Sequence, residues 1–253
     1  MTGTPVSDDD RDTEDVFGTC VDIYDMIAAQ EDEAVVPVSY ESRITFELRF
    51  NEAEKQDLLE EFLEATETED ECEQNKTASR LTRLEALAMA DGRLTTLAED
   101  FVAHWEARKE AIAGKAMMVA ISREAAVRLF EEIVKLRPEW EGNDLNSGRI
   151  KIIMTGSSAD PEEYQKHRTS PLQRKQLGKR FKDENDPLEI VIVRDMWLTG
   201  FDAPPVHTLY VDKPMQGDGL MQAIARTNRI WKDKPGGLVV DYIGIGHELR
   251  EAI

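Results

Sequence analysis

Soft metal ligands are scarce in these 253 residues: two cysteines, Cys20 and Cys72, and four histidines, His104, His167, His207 and His247. They are scattered, with none of the short spacings a zinc site needs, so no metal centre is expected. Two distant cysteines also make no disulfide framework, and a reduced, cytoplasmic interior is the expected home. No apolar run approaches the ~18 residues of a membrane span. The first residues, Met1-Thr2-Gly3-Thr4-Pro5 followed by Ser7-Asp8-Asp9-Asp10, hold neither a basic start nor an apolar stretch, which excludes a secretory signal. Basic residues are scarce in one half only. Residues 1–114 carry 30 Asp and Glu against 10 Lys and Arg, whereas 115–253 carry 21 of each, so the whole net charge of −20 sits in the first half. That half should repel phosphate backbones, while the neutral half can still carry a local basic path.

What is present reads as two textures. In residues 1–50, Val35-Val36-Pro37-Val38 and Ile44-Thr45-Phe46-Glu47-Leu48 have strand-like composition. From Asn51 the pattern turns helical, with Leu58, Leu59, Phe62 and Leu63 on one side, and two further helices are predicted over 79–90 and 95–113. Five acids in seven residues between Glu67 and Glu73 predict an exposed loop. The stripe Leu94, Leu97, Phe101, Val102 and Trp105 predicts packing. At Lys115 the texture changes. Apolar runs at 116–121, 150–154, 190–193, 208–211 and 238–240 alternate with helical segments. Val127, Phe130, Ile133 and Val134 form the apolar face of a helix opened by Ser122-Arg123-Glu124. Such alternation predicts an α/β fold, a mostly parallel sheet with helices on both faces. Ligands should then gather at strand carboxyl ends, at Ser122-Arg123, Thr155-Gly156-Ser157, Thr199-Gly200 and beyond Val211.

Two segments carry chemistry. Thr199-Gly200-Phe201-Asp202-Ala203-Pro204 offers a hydroxyl, a close backbone approach for a phosphate, and a carboxylate suited to a ribose hydroxyl or to orienting an arginine. Gln222-Ala223-Ile224-Ala225-Arg226-Thr227-Asn228-Arg229 holds two arginines three apart. On a helix that spacing puts both guanidinium forks on one face, where they can grip one polyphosphate. Standing alone, each is an ordinary surface feature. A third stretch, between Tyr164 and Lys182, holds Lys166, Arg168, Arg174, Lys175, Lys179, Arg180 and Lys182 with no acid among them. It suits a phosphate track, or simply a solvated helix face.

In this order and spacing the two segments resemble motifs V and VI of superfamily-two helicases, in their second RecA-like domain. Residues 116–123 resemble motif IV, and Thr2-Gly3-Thr4-Pro5 resembles motif III at the end of the first RecA-like domain. The text from Asp195 to Pro204, with Tyr210-Val211-Asp212-Lys213-Pro214-Met215, further resembles the motor (R, restriction) subunit of type I restriction enzymes. The resemblance implies an end of the first motor domain and connecting segment at 1–50, an acidic helical insertion or spacer at 51–111, and a second RecA-like domain at 112–253. It implies that Arg229 acts as an arginine finger on ATP, with Arg226 and Gln222 in the same cleft. Asp202 and Gly200 would serve that cleft, Thr199 would touch a DNA phosphate or the ribose, and Ser122, Arg123, Thr155 and Gly156 would line the DNA backbone. Ala225 replaces the glycine common before the first arginine.

No Gly-x-x-x-x-Gly-Lys-Ser/Thr phosphate loop, no acidic Mg²⁺ box and no nuclease carboxylate set occur in the sequence. The expectation is therefore a piece of a longer protein, inactive alone and holding no cofactor by itself. The intact subunit would use ATP and Mg²⁺. Its partners would be duplex DNA, the missing first RecA-like and nuclease domains, and methyltransferase and specificity subunits, with no membrane. The rival readings are another superfamily-two translocase (type III restriction or repair helicase) and a non-catalytic module whose acidic half binds a protein partner.

Overall fold

The computed structural model describes residues 7–8, 11–12, 32, 34–43, 85, 88–156, 160–215 and 217–244. Strands β1 (Ser7–Asp8) and β2 (Arg11–Asp12) form a short antiparallel pair. The remaining strands are β3 (Val38–Ser42), β4 (Lys115–Ala120), β5 (Ile150–Ile153), β6 (Ile190–Val193), β7 (Val206–Asp212) and β8 (Gly237–Asp241). They build one sheet in the order β3-β8-β7-β4-β6-β5, with every pairing parallel. The helices are α1 (Asp91–Ala111), α2 (Arg123–Leu136), α3 (Glu162–Gln165), α4 (Pro171–Lys182) and α5 (Gly217–Ile224).

The continuous apolar runs explain why the sheet is parallel and covered on both sides. Every residue of β4, β6, β7 and β8 is buried, and a strand with two apolar faces needs a layer over each. Side chains alternate between two cores as the pleat requires. Met118 points into one core with Leu97, Phe101 and Trp105 of α1 and Val127, Phe130 and Ile133 of α2. Met117 and Val119 point into the other with Leu177 and Phe181 of α4 and Leu220, Ala223 and Ile224 of α5. The strands predicted from residue 116 onward thus appear within about two residues of their expected ends, and Ser122 caps α2 by accepting from Ala125 N at 3.1 Å.

Two segments expected outside the 112–253 unit belong structurally with it. β3 pairs with β8, Val38 facing Gly237 through to Ser42 facing Asp241. Helix α1 lays its predicted stripe into the same core as Tyr210, Val240 and Tyr242. The division expected at 50 and 111 therefore does not follow the packing of the sheet. The physical reason is that a stripe of Leu94, Leu97, Phe101 and Trp105 must be covered, and the sheet face beneath β7 and β8 needs the same cover. Polar contacts fix the arrangement. Arg43 Nε donates to Asp100 at 2.7 Å, the Tyr242 hydroxyl donates to Asp100 at 2.8 Å, and Tyr40 donates to Asp241 at 2.6 Å. Arg93, at the start of α1, holds Asp212 at the end of β7 with two bonds, one of them 3.2 Å, and both side chains are buried, 4% and 1% exposed. The expected strand 44–48, helices from 51 and over 79–90 (bar a few residues of the latter), and acidic run 67–73 lie outside the described residues. So do Cys20, Cys72, Ser157 and the motif III-like start.

Candidate functional site

The two arginines do not sit on a helix. α5 stops at Ile224, and Arg226 N and Thr227 N bond three residues back, to Ala223 O at 3.0 Å and Ile224 O at 2.8 Å. The cause is local: the Thr227 hydroxyl also bonds Ile224 O at 2.9 Å, competing with a further helical turn. The chain has by then returned to the amino-terminal edge of the sheet. Asn228 O accepts from Val36 N at 2.8 Å, just before β3, and Lys234 Nζ donates to Val206 O at 2.9 Å, at the start of β7. Burial depresses the Lys234 pKa to about 8.

Both arginines nevertheless converge on the segment Phe201-Asp202. Arg226 donates from Nη1 to Phe201 O and from Nε to Gln222 O at 3.0 Å. Burial lowers its pKa from the usual arginine value, the neighbouring Arg229 adds to that, and Asp202 opposes it. Arg229 Nε lies 3.6 Å from Asp202 Oδ1, with both side chains open to solvent, 47% and 61% exposed. Thr199 and Gly200 are exposed just upstream. Gly200 has φ +66°, a left-handed conformation that glycine adopts without a Cβ penalty. Arg226, Arg229, Asp202, Gly200 and the Gln222 backbone thus form one cluster, with an exposed cationic fork at its rim.

An aromatic stack stands behind that cluster. Trp197 and Phe201 lie face to face, centroids 4.1 Å apart at 13°. Phe181 of α4 stacks beyond them, 5.9 Å from Trp197. Lys182 Nζ sits over the Phe201 ring at 4.8 Å. A Cβ on Gly178, in the interior of α4, would come within 3.2 Å of Phe201 Cε2. Glycine there costs about 1 kcal/mol of helix stability relative to alanine. Trp197 itself has φ +69°, a strained conformation for a bulky residue, of order 1–3 kcal/mol. None of these contacts was read from the sequence. The signal was the glycine inside an otherwise helical basic stretch.

The second cluster surrounds the end of β5. Thr155 and Gly156 follow that strand and, with Arg168, Thr169, Ser170 and Arg174, line an open cavity of about 730 Å³. A neighbouring cavity of about 490 Å³ shares Arg168 and Thr169 and adds Lys151, Lys166 and His167. Gly156 keeps the loop tight, since a Cβ there would lie 2.7 Å from Asp160 Oδ2 and 3.1 Å from Arg168 Cδ. α4 begins at this cavity with a capping box between Ser170 and Gln173 and with Pro171 in its first turn. Lys175 and Lys179 are exposed along α4, whereas Arg174 is half-buried and donates to Thr169 O. Arg180 is buried, pairing with Asp186 at 2.8 Å. Ser122 and Arg123 are otherwise engaged. The Ser122 hydroxyl serves as the α2 cap, and Arg123 grips Asp160 at 3.0 and 2.9 Å and Thr155 O at 2.9 Å. Arg123 shapes the loop, and Asp160, not singled out in the sequence, is the partner that makes this possible. Among the described residues no group of three His, Cys, Asp or Glu side chains could hold a metal ion, and no helix is long and apolar enough to cross a membrane.

A parallel six-stranded sheet between helix layers is the α/β architecture of a RecA-like domain. A family model described as type I restriction enzyme subunit R domain 3 matches residues 161–244, and one described as SWI2/SNF2 ATPase matches residues 1–76. The chain is 49% identical over 255 aligned residues to the type I restriction enzyme HindI endonuclease subunit of Haemophilus influenzae. It is 38% identical over 258 residues to the MjaIXP endonuclease subunit of Methanocaldococcus jannaschii. Along its whole length the chain is homologous to part of type I restriction enzyme endonuclease (R) subunits. Each alignment covers 100% of this chain and 23% of the relative, so the chain spans under a quarter of their length. A solved fragment described as an HsdR subunit of a type I restriction enzyme from Vibrio vulnificus superposes with a TM-score of 0.65. It shares 18% identity and covers 98% of this chain and 40% of that one, which supports the fold.

Proposed function

We propose that this chain forms one wall of the ATP cleft and part of the DNA track in the translocating motor of a type I restriction endonuclease, in the cytoplasm. The observation that carries the reading is the placement of Arg229. Its fork is exposed, lightly held by Asp202, and adjacent to Arg226, whose own guanidinium is fixed by two carbonyls. A cluster of donors with one immobile and one free arginine fits a polyphosphate presented from a facing domain.

In this reading the two RecA-like domains would close on ATP, taken with Mg²⁺ and held mainly by the first, and open after hydrolysis. Arg229 reaches toward its terminal phosphates, Arg226 fixes the turn, and Gln222 and Gly200 line the same wall. Asp202 holds Arg229 until the cleft closes. Thr155, Gly156, Thr199, Lys175, Lys179 and the Arg174 region face the duplex backbone, where the start of α4 adds its helix-terminal donors. Arg123 acts by holding the Thr155 loop, and Ser122 by capping the helix that carries Arg123. The partners are duplex DNA, the first motor and nuclease domains, and methyltransferase and specificity subunits.

The test is Arg229→Ala in an intact R subunit carrying this segment. ATP affinity should change little, while DNA-stimulated turnover falls roughly 10³-fold, because an arginine finger acts on charge that develops in the transition state. Arg229→Lys should restore little, since a point charge lacks the planar fork. Turnover of the alanine variant within about threefold of the parent would overturn the reading.

A further inference from the structure

Phe201 stands at a junction. Its carbonyl accepts from Arg226, and the next residue, Asp202, holds Arg229. Its ring stacks on Trp197, both rings border the backbone of α4 at Gly178, and Lys182 of the same helix lies over Phe201. Two locally unfavourable features serve this one contact: a glycine inside a helix, and a tryptophan held at positive φ. The helix that touches the ring also lines the cavity after β5 through Arg174 and exposes Lys175 and Lys179.

We infer that the Gly178–Phe201–Trp197 stack is a positioning device, through which the seating of α4 on a nucleic-acid backbone sets the placement of Arg226 and Arg229. The inference rests on the proposed function. Close packing transmits displacement because rings in van der Waals contact cannot be compressed. A shift of α4 therefore carries Phe201 with it, and with Phe201 its carbonyl and the Asp202 carboxylate. A side chain at Gly178 would meet Phe201 first, at 3.2 Å, and then Trp197, at 3.7 Å, so its effect passes through the stack.

The experiment uses an intact R subunit carrying this segment. ATP turnover is measured without DNA and with saturating duplex, alongside duplex Kd at fixed salt and Tm. Gly178→Ala places a methyl against the Phe201 ring. DNA-stimulated turnover should fall about tenfold, with Kd changed less than about twofold and Tm unchanged or raised, since alanine favours the helix. Adding Phe201→Leu to that variant withdraws side-chain bulk from the methyl and should recover at least about threefold of the lost stimulation, a rescue that simple loss of packing does not give. If Gly178→Ala keeps full stimulation, or if Kd weakens in step with turnover, the positioning role is wrong. Arg229→Ala, run in parallel, separates the cases. Loss of turnover there with no effect at Gly178 sinks only this inference, whereas no loss at Arg229 sinks the proposed function beneath it.

Discussion

Arg93→Met breaks the most buried ion pair of the fold, and its cost can be worked out beforehand. The guanidinium makes two bonds to Asp212 and one to Ala88 O at 2.9 Å, and both partners are nearly inaccessible. Burial pushes the Asp212 carboxyl up, Arg93 pulls it back, and Asp241 nearby adds to the upward push. Without Arg93 the carboxyl must stay charged and unpaired, at about 3–5 kcal/mol, or take up a proton. From an ordinary value of 3.8, protonation costs about 4 kcal/mol at pH 7 and about 2 kcal/mol at pH 5, at 1.36 kcal/mol per unit. Protonation therefore caps the penalty, giving roughly 4 kcal/mol at pH 7 and roughly half that at pH 5. The sign follows from the lost partner: without Arg93 the folded-state pKa of Asp212 rises further, so the proton-bound form is favoured at low pH and the penalty grows as pH rises. Urea unfolding of variant and parent at both pH values, compared pairwise, measures it. Arg93→Met with Asp212→Asn removes the charge and should recover much of the loss. A penalty below about 1 kcal/mol at pH 7, or one independent of pH, would refute the argument.

Three further outcomes are expected. His207 is fully buried, and burial lowers its pKa to about 3. The unfolded chain then binds the extra proton below pH 6.5, so stability falls as pH drops, by up to about 2 kcal/mol between pH 6.5 and 5; His207→Gln should remove this slope in urea titrations, and an unchanged slope would count against it. Lys175→Glu with Lys179→Glu should abolish weak, salt-sensitive duplex binding by the 253-residue chain in fluorescence anisotropy, and retained binding would make α4 an ordinary solvated face. Gly200→Ala, with open space around its Cβ position but φ +66°, should cost about 1 kcal/mol in thermal or urea unfolding through backbone strain alone, and a neutral result would mean the turn relaxes.

The sheet was legible because its buried strands show as short, mainly apolar runs between turn signals, Ile190-Val191-Ile192-Val193 most clearly. Ser122 was legible as a cap for the same local reason. β3 was misjudged because Val38-Ser39-Tyr40-Glu41-Ser42 is an edge strand with mixed burial, and its partner β8 lies some 200 residues away, so no local pattern records the pairing. The α1 stripe was correctly taken as packing, but periodicity cannot say what it packs on. At the candidate site the residue types of Arg226, Arg229 and Asp202 were evident, while the helix end at Ile224 depended on one Thr227 hydroxyl. The stack of Trp197, Phe201 and Gly178 joins two segments brought together only by the crossover, which no spacing rule reaches.

The distribution of strong and weak contacts bears on how such a domain could work. The α1 face is pinned by a buried ion pair, Arg93 with Asp212, and by Arg43, Asp100 and Tyr242 joining β3, α1 and the segment after β8. Breaking contacts of that kind costs several kcal/mol, so this side moves as one body with the sheet. The α4 and α5 face is held differently. Arg229 and Asp202 are both solvent-exposed, and an exposed pair contributes little; Lys232 with Glu184, across the same face, is exposed as well. Arg229 can therefore leave Asp202 for an incoming anion with almost no loss from the fold. Arg226 cannot, since it is half-buried and tied to Phe201 O and Gln222 O. In the proposed cleft, two arginines three residues apart thus divide the work: Arg226 holds the turn and Arg229 answers to the ligand.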